Sequence, residues 1–318
     1  MKICHVINSL SGGGAETHLL DLVYAQKELG HTVNVIATGP DKKNMKSFDK
    51  EFTHASDDVL RLNFPRLLNL YSYVKFFKHL QKEQFDVVHT HQPRSDFMYF
   101  ILNFFTSFKP TWIVSIHGKY DTYLEGSLFF DKLRKLSMPL LVKIWNKSDH
   151  IICISEEVEK WLTLYKIKSR TSVINYWINN AKLENLEKTK ESINIGFMGR
   201  INRNKGIEDL LEVYEELNED MYNLFIAGSG KESYLKKLND RYDLKNVNFL
   251  GYISNKDKFF SNIDIFVFPS YSEGLGLALL ESMSYSKICI SRDVPPMNSI
   301  LNHDSGYLFQ NIEELKSI

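Results

Sequence analysis

Two glutamates eight residues apart, Glu273 and Glu281, stand in the run Pro-Ser-Tyr-Ser-Glu-Gly-Leu-Gly-Leu-Ala-Leu-Leu-Glu at 269–281. The apolar stretch 263–268 leads directly into that run, and a helix-forming stretch follows it. This order puts Glu273 in a loop at a strand's C-terminal end, and Glu281 about one and a half turns into the helix at 3.6 residues per turn. Ligands of open α/β sheets bind along this edge. Gly274 and Gly276 free backbone N–H groups at the start of the helix, which suits phosphate or sugar oxygens.

A second group is cationic. Gly-Arg-Ile-Asn-Arg-Asn-Lys-Gly at 199–206 follows the strand-like run 193–198, so Arg200 and Lys205 sit at the crevice end of the same sheet. Two cations there can hold a diphosphate leaving group, the task a metal performs elsewhere. By itself such a loop is an ordinary solvated one; its proximity to the glutamates favours the functional reading. The glycine loop at 11–14 opens a helix and could cradle phosphate through Gly14, or could be no more than a tight turn. It is not a dinucleotide fingerprint, because Thr17 occupies the last glycine's place. Gly-Ser-Gly-Lys at 228–231 is not a P-loop, because Glu232 replaces the hydroxyl residue and Phe225 the first glycine; it reads as a turn leaving a strand. His117-Gly118 ends another strand, as a hydrogen-bonded loop histidine or as a group facing a ligand. His89 and His91 have strand spacing and could share a face, but no cysteine or carboxylate cluster accompanies them, so no metal site is expected.

The elements that must carry these groups alternate strand and helix throughout, implying βαβ units and mainly parallel sheets. Strands are expected at 2–8, 32–38, 86–89, 112–116, 150–154 and 172–175, then at 193–198, 222–227, 247–250, 263–268 and 288–291. Helices are expected at 15–29 and after the capping Ser155. The length of 318 residues suits two domains of roughly 150 residues each. Residues 179–192 are polar, rich in lysine and glutamate, and read as a linker between domains at 1–178 and 193–318. A last helix has barely begun at 312–315, so a C-terminal bracing segment is expected to be missing or truncated.

Net charge is zero, which argues against a general nucleic-acid binder. Cys4, Cys153 and Cys289 lie far apart and read as buried thiols of a reducing compartment. Met1-Lys2-Ile3 enters a strand directly, so no signal peptide is expected, and the apolar run 97–108 is too short to span a bilayer. Residues 64–82 have apolar positions at 67, 70, 74, 77 and 80, extra aromatics at Tyr71, Tyr73 and Phe76, and the cations Arg66, Lys75, Lys78 and Lys82. That composition describes either a core-facing helix with a solvated lysine face or a helix lying on an anionic membrane.

The ordered set of motifs resembles the retaining glycosyltransferases of family 4. It comprises Gly-Gly-Ala-Glu at 13–16, Gly-His at 30–31, Asp-Val-Val-His at 86–89, Ser-Ile-His-Gly at 115–118, Ile-Ser-Glu at 154–156, the loop 199–206, Ala-Gly-Ser-Gly at 227–230, Phe-Leu-Gly-Tyr-Ile at 249–253 and the Glu-x7-Glu run. The resemblance implies the α/β GT-B fold, two Rossmann-like domains with parallel sheets facing across a cleft. The N-terminal domain would bind the acceptor and the C-terminal domain a UDP- or GDP-sugar. Glu273 and His117 would lie at the reacting sugar. Backbone groups of Gly274, Leu275, Gly276 and Leu277 would hold its hydroxyls. Arg200, Lys205 and Gly14 would take the diphosphate, Glu281 the ribose, and Tyr252 and Ile253 the base. Glu16 and Thr17 are acceptor-side candidates.

The absence of any Asp-x-Asp removes the usual metal-diphosphate site of the other main glycosyltransferase architecture. No metal and no cofactor are implied, the nucleotide sugar being a substrate. The acceptor is expected to be a saccharide or lipid-linked saccharide of surface polysaccharide synthesis, met in the cytoplasm at the inner membrane face. Three departures stand out. Ser284-Tyr285-Ser286 replaces a small-residue turn, Pro295-Pro296-Met297-Asn298-Ser299 replaces a Gly-Gly-x-Pro-Glu stretch, and the crossover helices are not seen. The competing readings are a nucleotide-sugar epimerase of the same architecture and a truncated, non-catalytic nucleotide-binding relative.

Overall fold

The computed structural model describes the chain apart from residues 12, 41–46, 63, 65–68, 122–127, 179–191, 218–219, 243–246, 254 and 303. The expected linker therefore lies, up to residue 191, outside the described residues. Two compact units result: Met1–Lys119 with Arg134–Tyr176, and Tyr120–Leu133 with Trp177–Ile318.

The first unit holds a seven-stranded sheet of β1 (Lys2–Ile7), β2 (Thr32–Ala37), β3 (Asp58–Arg61), β4 (Val87–His91), β5 (Thr111–Ile116), β6 (His150–Cys153) and β7 (Arg170–Val173). The order is β3-β2-β1-β4-β5-β6-β7, and every pairing is parallel. The connecting helices are α1 (Gly14–Glu28), α2 (Asp49–Ala55), α3 (Leu70–Glu83), α4 (Pro93–Asn103), α5 (Leu128–Trp145, of which Arg134 onward belongs to this unit) and α6 (Glu156–Thr163). Central strands such as β1 are apolar along their length because both faces of a parallel sheet are covered; Cys4, Val6 and Ile7 are all fully buried. The short β3 carries no such signal and was not anticipated. It joins the edge beside β2, next to Asp57, whose carboxylate accepts from Val33 N at 2.7 Å.

The helix expected from residue 64 begins instead at Leu70, where Asn69 accepts from Ser72 N at 3.4 Å. Phe64 is buried ahead of it. The buried positions of α3 are Ser72, Phe76 and Leu80, whereas Leu70, Tyr71 and Val74 face outward. Of the expected stripe, Leu80 is buried and Phe77 half-buried, positions 70 and 74 face outward, and position 67 lies outside the described residues. Ser155 caps α6 as expected, accepting from Val158 N at 3.2 Å.

The second unit holds β8 (Ile193–Met198), β9 (Tyr222–Ala227), β10 (Val247–Gly251), β11 (Ile265–Phe268), β12 (Ile288–Arg292) and β13 (Tyr307–Phe309), in the order β10-β9-β8-β11-β12-β13. Its helices are α7 (Ile207–Tyr214), α8 (Glu232–Arg241), α9 (Lys256–Asn262), α10 (Leu277–Ser284), α11 (Met297–Ile300) and α12 (Ile312–Ser317). Alternate strand residues feed two cores. Val267 and Ile290 pack with Leu210, Leu238 and Leu315 on one face; Phe266, Phe268 and Cys289 pack with Phe260 and Leu279 on the other. The strand expected from 263 starts at Ile265, because Ile263 ends α9 and packs so close to Gly196 that a Cβ there would stand 2.5 Å from its side chain. The chain leaves β8 toward β9 and leaves β11 in the opposite direction toward β12. The adjacent pair β8 and β11 is thus a topological switch point.

Candidate active site

Loop 199–206 leaves β8 and loop 269–276 leaves β11, side by side at that switch point. The buried Asn204 ties them together. Its carbonyl accepts from Tyr271 N at 2.9 Å, and its Nδ2 donates to Ser272 O at 3.0 Å. Gly206 permits the close approach, with φ +65° and a position where a Cβ would stand 2.1 Å from Pro269 O. Held in this way, Lys205 and Glu273 form an ion pair in which each side chain is 12% exposed. Asn202 accepts from Lys205 N at 3.2 Å and fixes the turn that presents the lysine. Arg200 is exposed just beyond β8.

Gly276 takes the left-handed conformation at φ 82° and caps α10, so Leu277 is the helix's first residue. Leu275 is buried and Gly274 half-buried. On the same helix Glu281 accepts from Lys256 Nζ at 2.5 Å. The two glutamates are thus held by different lysines, as two separate carboxylates rather than an acid/base couple. Tyr252 and Ile253 follow β10 and line a cavity of about 400 Å³ with Phe225, Leu250 and Lys258. Gly228 is the turn expected after β9. Its N donates to Gly251 O at 2.7 Å, and a Cβ would stand 1.7 Å from Gly199 O, so it serves close backbone packing beneath the cation loop.

A brace under the glutamate loop escaped sequence reasoning. Arg292, 5% exposed, pairs with Asp209 of α7 and donates from Nε to Pro269 O at 3.0 Å. Tyr271 donates to Asp209 Oδ2 at 2.7 Å and lies under the guanidinium at 4.1 Å. A buried arginine must satisfy its donors, and here they fix the loop's first residues. The signal was a charged residue closing an otherwise apolar strand.

In the first unit Gly14 opens α1 and is exposed, whereas Glu16 is 2% exposed, its carboxylate turned back so that a Cβ on Gly13 would stand 2.5 Å from Oε2. Thr17 beside it is half-buried. Glu16 is therefore an internal anchor of its loop in this structure, not an outward-facing group. His117 follows β5 with both ring nitrogens engaged, Nε2 3.1 Å from His91 Nδ1 and Nδ1 on the Tyr176 hydroxyl. Burial pushes its pKa down to about 3. His89 and His91 do share a face, and His5 of β1 joins them, the three offering nitrogens within 4.8 Å of one another. A dication among these buried neutral rings would lack any anionic ligand within the group to offset its charge.

Two parallel α/β units, each with its functional candidates at strand C-terminal ends, define a GT-B glycosyltransferase fold. Residues 12–182 match the model of Glycosyltransferase Family 4, and residues 179–316 match that of Glycosyl transferases group 1. The chain belongs to glycosyltransferase family 4. It is 24% identical to the capsular polysaccharide biosynthesis glycosyltransferase CapM of Staphylococcus aureus, over 87% of this chain and 77% of that one. It is 23% identical to the O-antigen biosynthesis glycosyltransferase WclY of Escherichia coli, over 93% and 81%. The Anabaena protein HepE, solved in complex with UDP and glucose, superposes with a TM-score of 0.79 at 16% identity, covering 100% of this chain and 88% of that one. The sucrose-phosphate synthase of Thermosynechococcus elongatus gives 0.80 at 19%, with the same coverage. Among the described residues, no helix is long and apolar enough to cross a membrane.

Proposed function

We propose that this chain transfers a sugar, with retention at the anomeric carbon, from a nucleotide-diphosphate sugar to a saccharide or lipid-linked saccharide, in the building of a surface polysaccharide. The observation that carries the reading is the Lys205–Glu273 pair at the β8/β11 switch point. As the anomeric bond breaks, the leaving diphosphate gathers charge, and preorganised cations stabilise it. Before the donor arrives, Glu273 keeps the Lys205 ammonium in place. A diphosphate oxygen then takes over that ammonium, with Arg200 beside it, and releases the carboxylate to accept from sugar hydroxyls. The amides from Gly274 to Leu277 add donors at the start of α10. Glu281 exchanges Lys256 for the ribose hydroxyls, and the base rests by Tyr252 and Ile253. Gly14 and His117 of the first unit are further donor-side candidates, and Thr17, rather than the inward-turned Glu16, is the acceptor-side candidate. The relatives named for capsule and O-antigen synthesis support the acceptor class.

A screen of UDP- and GDP-sugars by thermal shift finds the donor, since a ligand at 100 times its Kd adds about 2.7 kcal/mol. With that donor, Lys205→Ala and Glu273→Ala each lower transfer by about 10²–10³ while the far-ultraviolet spectrum persists. A folded Lys205→Ala chain with full activity would sink the diphosphate assignment. Proton spectra of the product read the anomeric configuration, and an altered free nucleotide sugar in place of a new glycosidic bond would assign the site to epimerisation. The outward residues Leu70, Tyr71 and Val74 of α3, beside Lys75 and Lys78, support work at an anionic membrane face, where a lipid-linked acceptor would be met.

A further inference from the structure

Three imidazoles in the core of the first unit are hydrogen-bonded end to end, and one end dictates where every proton sits. Gln26 Oε1 of α1 lies 2.7 Å from His5 Nε2. His5 Nδ1 lies 3.1 Å from His91 Nε2, and His91 Nδ1 lies 3.1 Å from His117 Nε2. His117 Nδ1 meets the hydroxyl of Tyr176, whose ring stacks on His18 at 3.6 Å. His5 and His91 are both fully buried. A carboxamide oxygen can only accept, so His5 donates from Nε2. A neutral imidazole carries a single N–H, so His5 Nδ1 accepts and His91 donates from Nε2 in turn. The same step repeats at His117, which donates from Nε2 and leaves Nδ1 to accept the Tyr176 proton. Neutrality is the condition for this chain, and burial supplies it by pushing His5 down to about 4, His117 to about 3 and His91 well below the usual imidazole range.

We propose that Gln26, His5 and His91 are positioning residues, a relay that fixes His117 as its Nε2–H tautomer and turns the Tyr176 O–H inward, so that the Tyr176 oxygen can offer only lone pairs to a ligand hydroxyl. A ring held this way offers no nitrogen to an incoming alcohol directly; a proton could reach Nδ1 only through the Tyr176 oxygen. His117 therefore orients and is not the direct general base. That consequence rests on the glycosyl-transfer reading, whereas the tautomer does not.

The test is ¹⁵N-histidine correlation spectroscopy on the full chain, which reports directly which ring nitrogen carries the proton. His5, His91 and His117 are expected as Nε2–H. Gln26 is only half-buried, so Gln26→Lys can place a donor where the acceptor was. Its expected effect is to reverse the relay and convert His117 to Nδ1–H. Tyr176→Phe, which removes the far end, is expected to leave His117 as Nε2–H. An Nδ1–H form of His117 in the unaltered chain overturns the relay. So does a folded Gln26→Lys chain with unchanged His117 signals, or a tautomer switch in Tyr176→Phe. Stoichiometric zinc in the purified protein, lost on His89→Ala, also overturns it, because the metal would claim the same nitrogens. If Gln26→Lys does not fold, the unaltered chain and Tyr176→Phe still decide. The expected ring signals in a chain that transfers no sugar would leave the relay standing and remove the transferase reading.

Discussion

At the scale of single residues, what matters is which partner each charge has. Lys205 and Glu273 satisfy each other, as do Lys256 and Glu281, so the four side chains form two separate ion pairs rather than one cluster. Asp96 is the contrasting case. It is fully buried in the first turn of α4, accepts from Trp145 Nε1 at 2.9 Å on one oxygen, and has no hydrogen-bond partner among the described residues on the other. Burial prevails and lifts its pKa to about 7. For a carboxyl raised from 3.8, the stability is fully present below that value and is lost as pH rises through about 7. Asp96→Asn keeps an oxygen for Trp145 and discards the charge. Urea titrations are expected to show it about 2–4 kcal/mol more stable at pH about 8 and nearly unchanged at pH about 4. An equal effect at both would deny that the buried charge is the cause.

At the scale of elements, the site depends on two loops being able to touch. Gly206 is where they do, and Gly206→Ala asks an alanine to hold a positive φ and to share space with Pro269 O. The conformational cost alone is roughly 1–2 kcal/mol, and the contact adds to it. Denaturant unfolding is expected to report a loss of at least about 2 kcal/mol, and transfer is expected to fall because Lys205 and Glu273 are drawn apart. A stable, active Gly206→Ala chain would mean the loops need not meet. The glycine and its loop were legible from the sequence; Asn204, which ties the loops, was not, because an asparagine in a polar loop carries no periodicity. Helix α3 shows the opposite failure. Its apolar residues outnumber what one face can bury, so counting spacing selected positions 70 and 74 along with Leu80, and only packing decided that Ser72 and Phe76 join Leu80 inside. The outward apolar end with its lysines is expected to bind vesicles containing anionic lipid. Lys75→Glu with Lys78→Glu should abolish that binding in a flotation assay, at about 1 kcal/mol lost per removed cation. An intact chain that never floats would end the membrane proposal.

At the scale of the whole molecule, the units differ in their response to acid. His5 and His18 are lowered to about 4 and His117 to about 3, and His89 and His91 lie well below 6.5, in each case chiefly through burial. A histidine lowered on folding contributes stability that is present above 6.5 and lost as pH falls, because the unfolded chain takes up protons the core refuses. Each such ring removes about 1.4 kcal/mol per pH unit, so the first unit is expected to unfold between pH about 6 and 5. The second unit's share of the sequence holds a single histidine, His303. Tryptophan fluorescence reports the difference, since Trp112, Trp145 and Trp161 belong to the first unit. Emission unchanged down to pH about 4 would contradict the account.

The sequence by itself determined the α/β class, the succession of strands and helices, and the appearance of Glu273, Lys205 and His117 just past strand ends. These follow from local periodicity and from glycines whose backbone freedom marks turns. Tertiary structure alone decided the partnerships. Lys205 and Glu273 are 68 residues apart and meet because β8 and β11 are neighbours. His5 and His91 are 86 residues apart and meet because β1 pairs with β4, which turned a two-histidine pattern with no evident purpose into a connected row ending at His117. Sheet order is set by which apolar faces bury together, a property of the assembled core that no short stretch of the chain contains.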